Sequence, residues 1–564
     1  KDIRVLFVVG VNDGLIPRYD AGGGILSEYD REELERADAK LSPTARETMY
    51  QQKFHLYRNL TKPSERLYLS FAKAGASGEA QNPSYLINEI RKLFPEIPVR
   101  DIEKKEQPEE RLEMPRSGEA LFLEELGKAA EGEIDPLFEE LYRWYAAHPE
   151  AGIPAETYRK AAFLRCADGV IGRSAASALY GDTLKNSATR LEKYAACAFA
   201  HFMEFGLQIR ERDQYELKAA DMGTVMHEAL EKFSKKLQEN GETWKTVTDD
   251  TRDRLIEECV EETMADYGNT IFQSSSRNQY RIIRVKRILK RTVWALQQQI
   301  RQGEFEPGEF EVSFSMEDSL SAINIDLSEH EKMRLRGRID RVDLCETDDK
   351  VYVKIIDYKT GNTSLDLVAL YYGLQLQLAV YLDAAVELEQ KKHPGKQVEP
   401  AGVFYYHIDD PMLDQEEDET DEAWGRRMLK ALRMDGLVNA DRKVVELLDR
   451  VLEDGTTSDV IPVGKKKDGS YTSYSKVASP EQFDVIRTYT RKKVREIGEG
   501  IFSGNVKISP YQRDGATACA YCEYQGICGF DQKIQGYEYR KLKGMDTELL
   551  MKAMQEITQS DQKE

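Results

Sequence analysis

The chain has 564 residues, of which 41% are hydrophobic and 32% are charged, and its formal net charge is −20. This composition is typical of soluble globular proteins and excludes a disordered chain. No apolar stretch approaches the ~18 residues that a membrane helix needs, and no signal-peptide cleavage site follows the first apolar run. We therefore expect a cytoplasmic protein with about three to five domains, at roughly 100–200 residues per domain.

The first hundred residues are predicted to belong to an α/β domain. An apolar strand, Ile3–Val9, begins at once with no initiator Met, and a second strand follows helical sequence at 65–71. We therefore expect the chain to be the C-terminal part of a longer polypeptide. Residues 101–120 are charged and contain Pro108 and Pro115, which indicates a linker.

The rest of the sequence predicts helices over 120–180 and then one larger domain, in which long helices surround a cluster of strands at 309–359. We therefore predict four parts. Residues 1–105 belong to the α/β domain, 106–186 are a linker and helical region, 187–540 are the larger domain, and 541–564 are a helical or flexible tail.

The charge is distributed unevenly along the chain. An acidic total argues against a nucleic-acid partner, since such proteins are usually basic, and the acidic run 414–422 is interpreted as solvated surface. Residues 277–301, however, contain eight Lys or Arg and no acid. Apolar residues within this run predict an amphipathic helix whose cationic face is either solvated or in contact with phosphates. Its candidate DNA-binding residues are Arg284, Arg287, Lys290 and Arg291.

The best candidate site lies in a predicted β-hairpin over 337–359. Side chains alternate along a strand, so Asp357 and Lys359 are expected to share a face, with Tyr358 on the other. A carboxylate and an ammonium group would then lie side by side at the rim of a core. The alternative is an ordinary Asp–Lys pair on the surface, because Asp-x-Lys is short and common.

The first strand of the hairpin supplies a second carboxylate. Its apolar positions change phase, which predicts a β-bulge at Asp340–Arg341 that turns Asp340 toward Asp357. Two converging carboxylates repel each other, and a hard divalent cation such as Mg²⁺ or Mn²⁺ removes that cost. Such an ion would activate a water molecule and polarise a phosphoryl oxygen, and Lys359 would stabilise the developing negative charge.

Two helical segments add candidate residues. His227 lies in otherwise apolar helical sequence, where a lone histidine is ordinarily a core or cap residue; beside a carboxylate cluster it becomes a candidate metal ligand. A long helix is predicted over 365–389. It contains Gln377 and Tyr381, which lie four residues apart and therefore on one face.

Four motifs occur along the chain in the order His227, Gly337-x-x-Asp340, Asp357-Tyr-Lys359 and Gln377-x-x-x-Tyr381. In this order they resemble the motifs of the RecB-type branch of the PD-(D/E)xK nuclease superfamily. The resemblance implies a small mixed sheet flanked by helices, and a Mg²⁺-dependent phosphodiesterase that acts on DNA. The implied metal ligands are His227, Asp340 and Asp357. The other implied catalytic residues are Lys359, which would activate the attacking water, and Gln377 and Tyr381, which would support the site and the DNA backbone.

Seven cysteines include a close group, Cys519-x2-Cys522-x5-Cys528. Without an export signal, clustered thiols favour metal or cluster ligation over disulfides. The best fourth ligand is Cys197, in a helix whose predicted start is a capping box, Thr189-x-x-Glu192. Four thiolates suit zinc or an iron–sulfur cluster, and the spacing does not decide between them. The cysteines interpreted as ordinary residues are Cys166, Cys259 and Cys345.

A lone cysteine before the histidine helix and a C-x2-C-x5-C motif after the nuclease core resemble the iron-staple nucleases. That resemblance implies a 4Fe–4S cluster bound by Cys197, Cys519, Cys522 and Cys528. Ligands more than 300 residues apart would close a long loop and remove much entropy from the unfolded chain. We therefore expect a structural role for the cluster, with redox sensing as the alternative.

The N-terminal part has features of a motor domain but not its ATP site. No GxxxxGK[ST] phosphate-binding loop occurs, so no ATPase activity is expected from this chain alone. The pattern Gly10-x3-Gly14-x2-Pro17 after an apolar strand resembles the UvrD-like helicases, which have RecA-like domains. Active members have a catalytic arginine where this chain has Lys62, and lysine cannot present arginine's planar fork to a phosphate. The resemblance therefore implies an inactive helicase remnant.

A helicase-like remnant followed by an iron-staple nuclease resembles the AddB family, the second subunits of AddAB-type (RexAB-like) helicase–nucleases. This family implies a heterodimer with an AddA-like subunit that supplies the ATP-driven motor. It implies processing of double-stranded DNA ends and single-stranded DNA in recombinational repair, with cleavage of the 5′-ended strand and hotspot (Chi) recognition by the helicase-like part. Two alternatives are a DNA-end binding and scanning module with an inert nuclease fold, and a zinc-stabilised RNA-processing nuclease.

Overall fold

The computed structural model groups the chain into two compact units. One contains 1–128 and 134–152, and the other contains 129–133 and 153–564. The predicted boundaries at 105, 186 and 540 stay predictions, and most of the predicted linker, Cys166 and part of the acidic run lie outside the described residues. The structure describes residues 2–18, 28–38, 41–75, 78–101, 112, 115–130, 132, 136–151, 154–163, 169–212, 214–267, 271–314, 320, 323–328, 331–414 and 419–560.

The N-terminal unit is built on two parallel strands. Strand β1 (Ile3–Val8) pairs with β2 (Pro63–Leu69), and the helices α1 (Glu28–Arg36) and α2 (Ala45–Leu60) lie between them in the chain. Parallel neighbours need such a crossover connection. Both predicted strands are confirmed, with their ends shifted by one or two residues. The helices that follow are α3 (Tyr85–Leu93), α4 (Pro115–Ala130) and α5 (Pro136–Ala147).

The larger unit begins with helices that surround one short strand. These elements are α6 (Ala155–Ala162), α7 (Arg173–Tyr180), β3 (Thr183–Asn186), α8 (Ala188–Ala196), α9 (Ala198–His201), α10 (Ala219–Glu239), α11 (Asp249–Asp266) and α12 (Ser276–Gln302). The predicted histidine helix is α10 and the predicted basic helix is α12, so both are confirmed. No helix among the described residues is long and apolar enough to cross a membrane.

Strands and further helices then alternate along the chain. They are β4 (Glu306–Phe314), β5 (Asn324–Asp326), β6 (Lys332–Leu335), β7 (Gly337–Glu346), β8 (Lys350–Lys359), α13 (Leu367–Tyr371), α14 (Gln377–Lys392), β9 (Gln397–His407), α15 (Asp421–Ala431), β10 (Asp435–Asn439), α16 (Arg442–Leu448), β11 (Val477–Ala478) and α17 (Pro480–Phe502). The C-terminal elements are β12 (Tyr511–Arg513), β13 (Ala516–Thr517), α18 (Gln525–Cys528), β14 (Arg540–Lys541) and α19 (Thr547–Ser560).

Six strands of the described chain form a mixed sheet in the order β11-β10-β9-β8-β7-β4. Strands β7 and β8 are the predicted hairpin, an antiparallel pair that closes between Glu346 and Val351, and β8 and β9 run parallel. Both faces of the sheet are covered. One hydrophobic core, the first core, lies between one face of the sheet and α10, α11 and α12. The second core lies between the other face and α14, α17 and α19. Burial on both faces explains why β8 is apolar from Val351 to Ile356 except at Lys354.

The long helix predicted over 365–389 is wrong, because the chain breaks there into α13 and α14. Asp366 starts α13 by accepting hydrogen bonds from two backbone amides. Gly373 then takes a φ of 79°, a left-handed conformation that ends the first helix. As a result, Gln377 becomes the first residue of α14.

The bulge predicted at Asp340–Arg341 is also wrong, since the register shift in the β4–β7 pair lies between Pro307 and Glu309. The change of phase itself is present, because Ile339 and Val342 both pack in the second core. Opposite this point on β4, Glu311 has an unusual backbone conformation with a positive φ.

The capping box predicted to start α8 is likewise wrong. Ser187 is the N-cap residue, and its side chain accepts a hydrogen bond from the amide of Arg190. Thr189 therefore lies inside the helix, and Glu192 is free to bond elsewhere.

Candidate active site

The ammonium group of Lys359 lies between a carboxylate and an amide at the end of β8. Its Nζ is 2.5 Å from Oδ2 of Asp357 and donates a hydrogen bond to Oε1 of Gln377 at 3.0 Å. The amide nitrogen of Gln377 donates to the other oxygen of Asp357, Oδ1, at 2.8 Å. The three side chains therefore form a closed ring of one ion pair and two hydrogen bonds, and the predicted common face of Asp357 and Lys359 is confirmed.

Asp340 and His227 lie at the same end of the sheet. Oδ2 of Asp340 accepts a hydrogen bond from the backbone amide of Tyr358 at 2.7 Å and lies 3.3 Å from Nδ1 of His227. The imidazole also packs edge-on against the Tyr358 ring, with centroids 5.8 Å apart. Asp340 is 8% exposed and Asp357 is 2% exposed. The structure thus brings both predicted aspartates and the predicted histidine together in a largely dry site.

Glu311 of β4 is a site residue that sequence reasoning missed. One ligand atom from each of His227, Glu311 and Asp340 lies within 4.8 Å of the others. Glu311 has a φ of 51°, which is uncommon for a residue with a side chain and is the kind of strain that concentrates at functional sites. Among the described residues, Asp357 is not part of this group; its oxygens contact Lys359 and Gln377.

The face pattern of β4 explains why Glu311 was missed. Acidic and polar residues alternate with Phe310, Val312 and Phe314, as they do in a strand with one solvent-facing side. Only the pairing of β4 with β7, which flanks Glu311 with the Phe310–Arg341 and Val312–Ile339 pairs, places it beside Asp340.

The site concentrates negative charge away from water. Burial, and then repulsion by Asp340, raises the pKa of Asp357 to about 6. The same two causes raise the pKa of Glu311 to about 7. Burial opposes a charge on His227, but its hydrogen bond to Asp340 and the nearby carboxylates outweigh that effect and raise the pKa of the imidazole. A bound cation would remove the repulsion that produces the raised carboxyl pKa values.

The donors at this site fit a hard divalent cation. Carboxylate oxygens suit Mg²⁺ and Mn²⁺, and an imidazole is a common ligand of transition-metal ions. The residues placed to hold such an ion are Asp340, Glu311 and His227, with Asp357 next to them. The fit rests on the convergence of these donors, of which Asp340 is buried and His227 and Glu311 are partly buried, and on the raised pKa of the Glu311 carboxyl.

Two tyrosines contact the bonded group of Lys359, Asp357 and Gln377. The hydroxyl of Tyr381 accepts a hydrogen bond from the Gln377 amide nitrogen at 3.2 Å, which confirms that these two residues share a face of α14. Nζ of Lys359 lies over the ring of Tyr405, 5.4 Å from its centroid, at a distance typical of a cation–π contact.

A buried ion network lies in the same hairpin. Asp343 accepts hydrogen bonds from Nε of Arg341 at 2.6 Å and from its NH2 group at 2.9 Å, and Nζ of Lys354 lies 2.7 Å from Oδ2 of Asp343. Arg341 and Asp343 are both 0% exposed. Paired charges tolerate burial, which explains how Arg341 and Asp343 can occupy buried positions in β7.

The four predicted cluster ligands, Cys197, Cys519, Cys522 and Cys528, lie in one region of the structure. Burial, with a smaller contribution from the other three thiols, raises the pKa of Cys519. Cys197 is buried against Tyr524, and the backbone amide of Phe530 donates to Sγ of Cys528 at 3.4 Å. Thiolates are ligands that suit an iron–sulfur cluster or zinc; among the described residues, no three of these sulfur atoms all lie within 4.8 Å of one another.

The cations of α12 divide into two groups. Several are paired with carboxylates of neighbouring elements, namely Lys286 with Glu261, Lys290 with Glu257, and both Arg287 and Arg291 with Asp410. Arg284 has no ion pair among the described residues. It lines a cavity of about 300 Å³ together with Arg281 and Lys218, and the other lining residues are apolar. Of the predicted DNA-binding residues, Arg284 is therefore the best placed to meet a phosphate.

Residues 185–529 match the family described as the PD-(D/E)XK nuclease superfamily. This match covers more than half of the chain and includes every residue of the site described above. The chain belongs to this superfamily, and its mixed sheet with flanking helices has the architecture predicted for the nuclease domain.

Over nearly its whole length the chain is similar to proteins named as B-type subunits of an ATP-dependent helicase/deoxyribonuclease. The relative from Lachnoclostridium phytofermentans is 42% identical over 97% of this chain and 47% of its own length. The relative from Alkaliphilus metalliredigens is 35% identical over 99% of this chain and 49% of its own length. These relatives confirm the resemblance to helicase–nuclease second subunits. The chain spans about half the length of the curated relatives it matches.

Proposed function

We propose that this protein is a deoxyribonuclease that depends on Mg²⁺ or Mn²⁺ and acts as an exonuclease on DNA strands. The ring of Lys359, Asp357 and Gln377 beside the group formed by His227, Glu311 and Asp340 is the observation on which the proposal rests. It combines metal-binding groups, a fixed cation and an orienting amide at one end of a rigid sheet. Membership of the PD-(D/E)XK nuclease superfamily supports the same chemistry.

The division of labour within the site follows from its contacts. A bound Mg²⁺ or Mn²⁺ would lower the pKa of a bound water and polarise a phosphoryl oxygen. Lys359, held by Asp357 and Gln377, would orient the attacking water and stabilise the negative charge that develops on the phosphate. The hydroxyl of Tyr381 also holds the Gln377 side chain, by accepting a hydrogen bond from its amide nitrogen. Fixed donors of this kind do not have to reorganise during the reaction, which is how preorganised sites lower a barrier.

Single-stranded DNA would approach the site along α10 and α12. The cavity lined by Arg284, Arg281 and Lys218 also contains Met226, the residue before His227. Its cationic side chains would neutralise a phosphate, and its apolar lining would accept a base or sugar. We propose Arg284 as the principal phosphate contact of α12, with Arg287, Lys290 and Arg291 contributing through their longer-range charge.

We propose that Cys197, Cys519, Cys522 and Cys528 bind a 4Fe–4S cluster with a structural role. Cys197 lies at the end of α8, whereas the other three follow the last strands of the domain. Binding all four to one cluster would join segments more than 300 residues apart and remove conformational entropy from the unfolded chain.

We further propose that the protein works as the second subunit of a heterodimeric, ATP-dependent helicase–nuclease with an AddA-like partner. In this complex it would process double-stranded DNA ends for recombinational repair and cut the 5′-ended strand. The N-terminal unit would be an inactive, RecA-like helicase remnant that takes part in Chi recognition, and the motor activity would come from the partner. Similarity to proteins named as B-type subunits of a helicase/deoxyribonuclease supports this proposal.

The direct test is strand cleavage by the intact protein, together with a partner whose own nuclease is disabled. Asp357→Ala should abolish Mg²⁺-dependent cleavage of one strand and leave folding and partner binding intact. Asp348→Ala, in the exposed turn of the same hairpin, serves as the matched control. Unchanged cleavage by the Asp357→Ala complex would refute the proposed site.

A further inference from the structure

Glu192, in the middle of α8, bonds to the start of the helix that contains Gln377. Its Oε1 accepts hydrogen bonds from the backbone amides of Leu376 at 2.6 Å and of Gln377 at 3.0 Å. Leu376 is the N-cap residue of α14, and its apolar side chain makes no capping hydrogen bond. Glu192 therefore supplies, from a different helix, the acceptor that the first turn of α14 lacks.

The position of this contact matters because Gln377 is the first residue of α14. Its backbone amide bonds to Glu192, while its side chain bonds to both Asp357 and Lys359. A shift in the first turn of the helix would move the Gln377 amide directly. Exposed amides at a helix start also favour a nearby negative group, so Glu192 stabilises the turn electrostatically as well as by hydrogen bonding.

We propose that Glu192 is a positioning residue of the nuclease, which fixes the first turn of α14 and through it the Gln377 amide that holds Asp357 and Lys359. The inference rests on the proposed nuclease function, although its structural part can be measured without activity. Glu192 acts through Gln377, since among the described residues it makes no hydrogen bond or ion pair with Asp357 or Lys359.

The surroundings of α8 make it a firm support for this contact. Its C-terminal end leads into Cys197, and Arg540 donates a hydrogen bond to the carbonyl of Ala195 in its last turn. The methyl group of Ala195 also lies close to Gly373, in the break between α13 and α14. One rigid helix thus joins the cysteine group at its end to the active site at its middle, and Glu192 is the side chain that reaches the site.

The ionisation of Glu192 suggests a conservative variant. Burial raises the pKa of this carboxyl to about 7, although the two backbone amides and Lys359 pull in the opposite direction. A neutral side chain with the same acceptor oxygen should therefore be tolerated. Glutamine provides that oxygen at the same position, whereas alanine removes it.

The test compares Glu192→Ala and Glu192→Gln with a matched control, Glu204→Ala, in the intact protein with any partner subunit present. Glu204 forms an ion pair at 2.9 Å with Lys193 of α8 and has no hydrogen bond or ion pair with α14 among the described residues. Glu192→Ala should lower kcat about 10- to 100-fold, because a misplaced catalytic group costs about that much, with KM for DNA unchanged. Glu192→Gln should restore kcat to within about threefold, and Glu204→Ala should match the parent.

Amide hydrogen exchange gives a readout that does not depend on cleavage. In peptides that cover 374–380, exchange should be faster in Glu192→Ala than in the parent, and unchanged in Glu192→Gln and Glu204→Ala. If the exchange pattern is observed but the parent cleaves no DNA, the proposed nuclease function is refuted, whereas the contact between Glu192 and the start of α14 is supported. Parent-like exchange and kcat in Glu192→Ala would overturn the inference. Failure of Glu192→Gln to restore kcat, or an equal loss in Glu204→Ala, would overturn it as well.

Discussion

Oδ2 of Asp340 accepts a hydrogen bond from the backbone amide of Tyr358, the residue between Asp357 and Lys359, at 2.7 Å. This bond joins β7 to β8 where the site forms, and it holds the Asp340 carboxylate beside His227. Because a carboxylate has about four acceptor positions, the bond orients Asp340 and leaves it able to bind a cation. The strand pairing of the hairpin therefore positions the candidate metal ligand directly.

The role of Glu311 can be tested by removing its charge. Glu311→Gln should raise the Mg²⁺ concentration for half-maximal DNA cleavage by about tenfold or more, since even outer partners of metal ligands are worth 10- to 100-fold in affinity. Glu309→Gln is the matched control, because Glu309 lies two residues away in the same strand and pairs with Lys392 at the surface. Equal Mg²⁺ requirements in the two variants would remove Glu311 from the site.

Metal binding should depend on pH in a predictable direction. The carboxyl pKa values of Asp357, about 6, and Glu311, about 7, lie above their ordinary values. Protonation is thus favoured in the metal-free fold and must be reversed before a cation binds. The apparent affinity for Mg²⁺ should rise between pH 5.5 and 7.5, by up to about tenfold per pH unit for each proton released. Calorimetric titration at several pH values measures this, and a flat profile would contradict it.

The same pKa values predict a stability effect without metal. A raised folded-state pKa contributes stability that is present below the ordinary pKa and is lost as pH rises through the folded value. In EDTA, the parent should therefore lose stability relative to Glu311→Gln as pH rises from 5 to 8. Thermal melting of both proteins checks the sign, and a parent that gains stability relative to Glu311→Gln over this range would show that the surroundings do not destabilise the Glu311 carboxylate.

The buried network around Asp343 should be essential for folding. Asp343→Asn removes the charge that pairs with both Arg341 and Lys354, and breaking a buried ion pair costs about 3–5 kcal/mol. Urea denaturation followed by circular dichroism measures the loss. Asp348→Asn, at an exposed position of the same hairpin, should stay within about 0.5 kcal/mol of the parent. A similarly small effect of Asp343→Asn would mean that this network does not stabilise the hairpin.

The nature of the cysteine site can be settled by analysis of anaerobically purified protein. We expect about four iron and four sulfide per chain for a 4Fe–4S cluster, with visible absorption, and loss of both in Cys519→Ala. That variant should also melt at lower temperature and bind DNA ends more weakly, with little change in Mg²⁺ binding. Cys345→Ala, which removes a buried thiol of the first core, should retain its iron. Zinc in place of iron, or unaltered melting of Cys519→Ala, would contradict the staple.

DNA contact by α12 should depend on which of its cations is replaced. Arg284→Ala should reduce the slope of log affinity against log salt by about one, as expected for the loss of one phosphate contact. Lys290→Ala should change it less, because Glu257 already pairs with that ammonium group. An unchanged slope after replacement of both Arg284 and Arg287 would rule out phosphate binding by this helix.

Local patterns were sufficient to predict one half of the candidate site. Strand alternation correctly placed Asp357 and Lys359 on one face, and helical spacing placed Gln377 and Tyr381 together. The period of each element fixes such relationships, so no knowledge of the tertiary fold was required.

The other half depends on contacts between segments that are distant in the sequence. Glu311 joins the site only through the pairing of β4 with β7, and Glu192 reaches residues 184 and 185 positions further along the chain. The false capping box arose because Glu192 satisfies a local motif and bonds to a remote helix instead. Likewise, the phase change in β7 lies opposite the left-handed backbone of Glu311 on β4, which no periodic pattern predicts.

The central claim is that these converging carboxylates bind one catalytic divalent ion. Titration with Mn²⁺, followed by electron paramagnetic resonance, tests it most directly in the parent, in Asp340→Ala and in Asp348→Ala. We predict one site in the parent and in Asp348→Ala that weakens at least about tenfold in Asp340→Ala. Equal Mn²⁺ binding by all three proteins would contradict the account.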